Sequence, residues 1–210
     1  MRRSVSGLAA AAALLISLPV AAAEDHWDGG YEIQAERRSG LALGITLGSG
    51  LGVASGYPND VEKIGEPEFR SETGLASGGQ VTAWLGGALR DWFIVGLGLH
   101  SFGFGSEGNQ AGGGAFILHV EAFPLWSLGG RFRDLSFFTD FGAGGLVIEG
   151  GPENADGGAL SLINAGVSFE AFRWGPLALG PSLTGTYAYS QSIEAGAAFI
   201  GARATLYGGP

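Results

Sequence analysis

Six ionisable residues lie among apolar segments where they could do chemistry: His100, His119, Glu121, Asp140, Glu170 and Arg203. A histidine, a carboxylate and a serine on one wall are the parts of a nucleophilic hydrolase. There the acid orients the imidazole and the imidazole takes the hydroxyl proton. The hydroxyl beside His100 is Ser101. In an extended strand, adjacent side chains point to opposite faces, so this pair cannot share a wall. No catalytic residue is assigned on this pattern, and the chain is read as a non-enzyme. The remaining chemistry is ionic. Buried charges must be paired or hydrogen-bonded, so Arg203 with Glu121, Asp140 and Glu170, flanked by the two histidines, forms a candidate interior polar network. Arg203 is expected to be the only cation inside.

Gly103-Phe-Gly-Ser-Glu-Gly108 spells the dinucleotide signature G-x-G-x-x-G. That motif holds a pyrophosphate only where a strand turns into a helix. Here Asn109-Gln110-Ala-Gly-Gly-Gly and a further strand-like run follow, so no cofactor site is assigned. Cysteine is absent, which rules out disulfides and thiolate metal sites, and no metal ligand set is assigned. A formal charge of -9 excludes nucleic acid as a partner, because phosphate binding needs clustered Lys and Arg.

The elements that would position these residues share one pattern. From Leu41 to Val53 large apolar side chains occupy nearly every odd position, and Ala, Gly or Thr fill the even ones. A strand with this alternation has one greasy face and one small face. Eight such segments lie near 41–54, 78–90, 92–104, 113–125, 134–148, 159–173, 177–190 and 194–207. On each, the ionisable residues share the face opposite the greasy one. Phe93, Val95, Leu97 and Leu99 oppose Gly96, Gly98 and His100; Phe116, Leu118 and Val120 oppose His119 and Glu121; Ile200, Ala202 and Ala204 oppose Arg203. A charge facing hydrocarbon costs about 2–4 kcal/mol at mid-bilayer, so a lipid-facing wall would enforce this arrangement. A methyl added at Gly98, inside the wall, is expected to be mild beside an arginine at Leu97.

Arg2 and Arg3, the apolar stretch Leu8 to Val20 and Ala21-Ala22-Ala23 read as a signal segment cleaved before Glu24. Its removal takes the formal charge from -9 to -11. The domain reading is therefore signal 1–23, a periplasmic arm 24–40, and a barrel domain 41–210. No later run is long and apolar enough for a helical span of about 20 residues. Every backbone amide in lipid must be paired within the protein, which leaves a closed barrel. The fold expected is all-β: a closed antiparallel transmembrane barrel of about eight strands in an up-and-down meander.

Loop-like stretches at 57–77, 105–112 and 149–158 alternate with tight turns at Arg90-Asp91 and Trp174-Gly175-Pro176. Short turns belong on the periplasmic side of such barrels and longer loops outside. Pro181 is awkward within a closed ladder and reads as a bulge, or as a sign that the seventh strand begins later. Trp92, Trp126, Trp174 and Tyr207 fall at the turn ends and read as an interfacial girdle, with Arg37, Arg38, Arg90, Arg131, Arg133 and Arg173 beside them. The outer loops carry ten acids, from Asp60 to Glu194, against Lys63 and Arg70, a net charge of about -8. That surface is either simply solvated or touches lipopolysaccharide through divalent cations.

On this architecture the segment from Leu41 to Tyr207 resembles the small eight-stranded outer-membrane barrels, the OmpA-transmembrane, OmpX and OmpW-like group. The resemblance implies an outer-membrane location and lipid, lipopolysaccharide and the barrel-assembly machinery as partners. That machinery reads a terminal aromatic in many members; here Tyr207 is followed by Gly208-Gly209-Pro210. Two functions stay open: a structural, adhesive or envelope-maintenance barrel, and a narrow conduit. Interior glycines such as Gly44, Gly48, Gly50, Gly52, Gly142 and Gly144 could leave a thread of space or merely relieve crowding. A soluble ligand-binding barrel would need the reverse register.

Overall fold

A strand can bury neither edge in lipid unpaired, so alternation of this kind forces each segment to find a neighbour on both sides. The computed structural model describes residues 37–106, 108–128 and 130–209; the signal segment and residues 24–36 of the arm lie outside them. Among the described residues are ten strands: β1 (Gly40–Gly56), β2 (Ser71–Glu72), β3 (Ala76–Arg90), β4 (Phe93–Gly105), β5 (Gln110–Ala122), β6 (Leu135–Glu149), β7 (Ala155–Phe169), β8 (Phe172–Trp174), β9 (Leu177–Tyr189) and β10 (Ile193–Tyr207). Each long strand pairs antiparallel with the next, and β10 returns to β1 with Leu206 opposite Leu43 and Ile193 opposite Gly56. The eight long strands thus close a meander barrel, while β2 and β8 are short additions to β1 and β9.

The register puts the greasy face outside. One row runs Leu43, Leu85, Leu97, Leu118, Phe141, Ile163, Tyr187 across seven successive strands, and every member is exposed. The row behind it on the inside runs Gly44, Trp84, Gly98, Ile117, Gly142, Leu162, Ala188. Small and large residues alternate around most of this ring, which is how a narrow barrel fits bulk into a tight circumference. A β-carbon on Gly44 would collide with the Trp84 indole, and one on Gly50, Gly144 or Gly201 would collide with a neighbouring strand's carbonyl. The interior glycines therefore relieve crowding and do not line a thread of space. Gly98 follows the same rule: its β-carbon would meet the Ala83 carbonyl and Trp84. The expectation that Gly98→Ala is mild is corrected accordingly.

Two predictions follow from the register. Leu97→Arg should destabilise the lipid-embedded barrel by about 2–4 kcal/mol, whereas Gly112→Ala, on the same outer wall with open space around it, should leave folding yield in lipid vesicles unchanged. Normal folding of Leu97→Arg would mean the two faces are reversed. Gly44→Ala should cost about 1–3 kcal/mol through overpacking. Gly185→Ala meets nothing within 4 Å and should shift the urea midpoint by less than about 0.5 kcal/mol equivalent.

The connections differ from the sequence reading. β5 begins at Gln110 and β7 at Ala155, so the loops expected at 105–112 and 149–158 shrink to short links. Glycine runs hide a face from sequence, yet their backbone amides carry the ladder on, as Gly112 and Gly113 do opposite Gly103 and Phe102. Only the 57–75 link is long at that end. The longest link at the other end, between β5 and β6, holds two 3-10 turns, Trp126–Leu128 and Gly130–Asp134. Pro181 falls where the β7–β9 ladder stops at Ser182 and β8 takes over at Leu179. Its missing N–H sits at a break in that ladder.

Trp92, Trp126 and Trp174 are exposed at the turn end. Tyr207 does not belong with them. It is only 3% exposed, and its hydroxyl donates to Glu170, because position 207 shares the inward face with Arg203 and Thr205.

Candidate functional site: the filled lumen

Alternation places His119, Asp140, Asn164 and Thr186 in one inward row on adjacent strands β5, β6, β7 and β9. Neighbouring side chains in such a row lie within hydrogen-bonding reach. His119 Nδ1 is 2.6 Å from Asp140 Oδ1, Asn164 Nδ2 donates to Asp140 Oδ2 at 2.7 Å, and Thr186 Oγ1 donates to Asn164 Oδ1 at 2.9 Å. Glu121, two residues along β5, brings Oε2 to 3.5 Å from His119 Nε2. Trp84 stacks on the imidazole with centroids 4.3 Å apart. It has room to do so because the same row continues through Gly96 and Gly86.

Arg203 closes this network from the far wall. β10 lies four strand steps from β5 in either direction round the ring, so its guanidinium spans the lumen to ion-pair with Glu121. It lies over the rings of Trp84 and Phe138 at 5.2 and 5.1 Å. Four of the six candidate residues therefore come together: Arg203, Glu121, His119 and Asp140. Asp140 reaches Arg203 only through His119 and Glu121. His100 stands apart, with Nδ1 2.8 Å from Thr82 Oγ1, while Ser101 faces outward and donates to the Gly113 carbonyl. The His100–Ser101 pair does not share a wall.

Glu170 belongs to a second cluster, which sequence reasoning missed. Arg38, placed at the rim by its position before β1, turns into the barrel mouth and is 0% exposed. Its Nη2 donates to Asp134 and to Glu170 at 2.7 Å each, its Nε donates to Glu170 at 3.1 Å, and its backbone N–H donates to Asp91 Oδ1 at 3.1 Å. The guanidinium carbon lies 3.6 Å from the Phe123 ring centroid. Arg133 pairs with Asp91 at 2.7 Å and Arg37 with Asp134 at 3.0 Å. Burial works against the Arg38 charge, but Glu170 more than offsets it by charge and hydrogen bond, with Tyr207 and Asp134 adding to the effect. The net result is a pKa raised above the usual arginine value. Arg203 is therefore not the sole interior cation. No alternation marks Arg38, since it precedes the strand and is swung inward through Gly40 at φ +72.

The outer half of the lumen is apolar. Phe102, Phe104, Ile117, Leu146, Leu162 and Phe199 belong to one buried cluster there. Above it the long link folds across the opening: Ser71 Oγ donates to the Glu153 carbonyl at 2.9 Å, Asn59 N–H to Asp156 at 3.0 Å, and Ser106 Oγ to the Thr73 carbonyl at 3.0 Å. Lys63 pairs with Glu153 at 2.6 Å, and that hydrogen bond raises its pKa. Among the described residues no three His, Asp or Glu side chains gather as a metal site. The Gly103 motif lies in the β4–β5 hairpin, with no helix to receive a phosphate.

No family model and no curated protein matches this chain. Among solved structures it is similar to Ail, the attachment invasion locus protein of Yersinia pestis, at 10% identity over 80% of this chain and 99% of that one, with a TM-score of 0.50. The N-terminal β-barrel domain of Pseudomonas aeruginosa OprF (13% identity, 80% and 99% covered, TM-score 0.42) and Neisserial surface protein A (8%, 79% and 96%, 0.43) are also similar. At such identity the likeness is one of fold, and in fold this chain is a closed eight-stranded antiparallel barrel of the small outer-membrane kind.

Proposed function

We propose that this is a non-enzymatic integral outer-membrane barrel with a structural, adhesive or envelope-maintenance role, and that it does not conduct. The filled lumen carries this reading. From one end to the other it holds the Arg38 cluster, the Arg203 network, an apolar plug and a hydrogen-bonded cover. A conduit needs a wetted path, and apolar constrictions gate by excluding water. The exposed ring of Leu, Phe and Ile side chains supports residence in lipid, as does the sequestration of ionisable groups inside. Lipid and lipopolysaccharide would surround the barrel, with the assembly machinery inserting it. His100 meets Thr82 while Ser101 faces outward, which supports a non-enzymatic role. In planar bilayers the purified protein should give no stable single-channel openings. Discrete openings at neutral pH would overturn the closed-barrel reading in favour of the conduit.

A further inference from the structure

Among the described residues at the turn end of the barrel, the charges divide by depth. The acids Asp91, Asp134 and Glu170 are all buried and engaged by Arg38, Arg133 and Arg37. Arg37, Arg90 and Arg131 are exposed, and Arg173 is half-buried. The surface shown at this end is therefore cationic, the opposite of the acidic outer end.

Two of these arginines, Arg37 and Arg173, line a recess of about 710 Å³, together with Asp134, Glu170, Pro176 and Tyr207. β8 explains why Arg173 is there. Three residues of strand turn Arg173 toward the recess and leave Phe172 and Trp174 outside, stacked at 6.4 Å and exposed, Trp174 at 64%. Neither guanidinium is exhausted. Among the described residues Arg37 hydrogen-bonds through Nη1 to Asp134, and Arg173 through Nη2 to the Arg37 carbonyl at 2.9 Å. Each guanidinium has five N–H donors in all. The recess acids do not reverse the sign. The lining is balanced, Arg37 and Arg173 against Asp134 and Glu170, and with the buried groups paired behind it, Arg38, Arg133 and Asp91, the cluster keeps one net positive charge.

The geometry points to this recess as a binding site for a phosphodiester monoanion: the headgroup phosphate of an anionic glycerophospholipid in the periplasmic leaflet. Arg37 and Arg173 hold the phosphate, and Phe172 and Trp174 rest against the first carbons of the acyl chains. Paired N–H donors suit phosphate oxygens, and stacked aromatics with cations beside them suit the headgroup boundary. A zwitterionic lipid brings its own cation and gains less. The assignment rests on the reading of this barrel as membrane-embedded with its turn end toward the periplasm.

The test uses the full chain folded in detergent micelles doped with equal phosphatidylglycerol and phosphatidylcholine, with retained lipid counted by native mass spectrometry. Wild type should retain one phosphatidylglycerol in about tenfold preference, given the attraction of a juxtamembrane arginine for anionic lipid. Arg37→Gln/Arg173→Gln should lose that preference, and Arg90→Gln, outside the recess, should keep it. Equal retention of both lipids by wild type overturns the proposal without any variant, as does an undiminished preference in the double variant. Inorganic phosphate is added in a separate arm. Phosphate binding with no phosphatidylglycerol preference assigns the recess to a free anion and overturns the lipid. Failure of wild type to show the heat-shifted gel mobility of a folded barrel would overturn the membrane reading itself, and the site with it.

Discussion

Arg38→Ala should cost about 3–5 kcal/mol, the loss typical when one partner of a buried ionic cluster is removed and its counter-charges stay. That is a large share of the 5–15 kcal/mol that holds an ordinary domain together. Glu170 suffers most, because Asp91 keeps Arg133 and Asp134 keeps Arg37, while the next guanidinium to Glu170, that of Arg173, is 3.9 Å away. The pH dependence has a definite sign. In wild type the raised Arg38 pKa means its stabilisation is fully present below the ordinary arginine value, so it does not fade anywhere near neutrality. In the variant, crowded acids favour protonation in the folded state. The folded state then binds more protons than the unfolded one, and stability falls as pH rises. Urea midpoints in detergent should drop sharply at neutral pH and recover in part near pH 5. Arg38→Lys should rescue little, since a point charge cannot serve three carboxylates at once. A variant that unfolds like wild type at both pH values would show that the cluster contributes nothing.

The second large effect lies at mid-barrel. Arg203→Met should also cost about 3–5 kcal/mol, because it leaves Glu121, 1% exposed, without its cation. The informative measurement is a double-mutant cycle. Arg203→Met with Glu121→Gln should show a coupling of about 0.5–3 kcal/mol, as contacting pairs do. Arg203→Met with Glu170→Gln should be additive, since Glu170 belongs to Arg38. A stronger coupling to Glu170 than to Glu121 would mean that the two clusters are assigned to the wrong arginines.

All eight barrel strands were legible in the chain, and so was the direction of the faces named on them, from Leu41 opposite Ala42 to Ala204 opposite Arg203. The reason is physical. A wall with lipid on one side and a narrow lumen on the other imposes a two-residue period on every strand. Side-chain chemistry cannot violate that period without a cost of kilocalories. The same period placed Arg203, Glu121, His119 and Asp140 inside. It could not say which would touch, because contact across the lumen depends on stagger between strands far apart in sequence. Hence Glu170, on the correct face, joined the wrong arginine in the reading from sequence, and Tyr207 was put in the girdle although it shares the inward face of β10.

Where the period lapses, sequence was silent. Glycine runs such as Gly112 to Gly114 have no side chains to mark a face, so strand ends were misplaced there. Arg38 precedes the first strand and is carried into the barrel mouth by a left-handed turn at Gly40. The role of the glycines was likewise undecidable, since a missing β-carbon reads the same whether its place is empty or taken. Alternation is a local property of each strand, and it determined the barrel. The filling of the lumen depends on which opposite walls meet, and only the closed ring decided that.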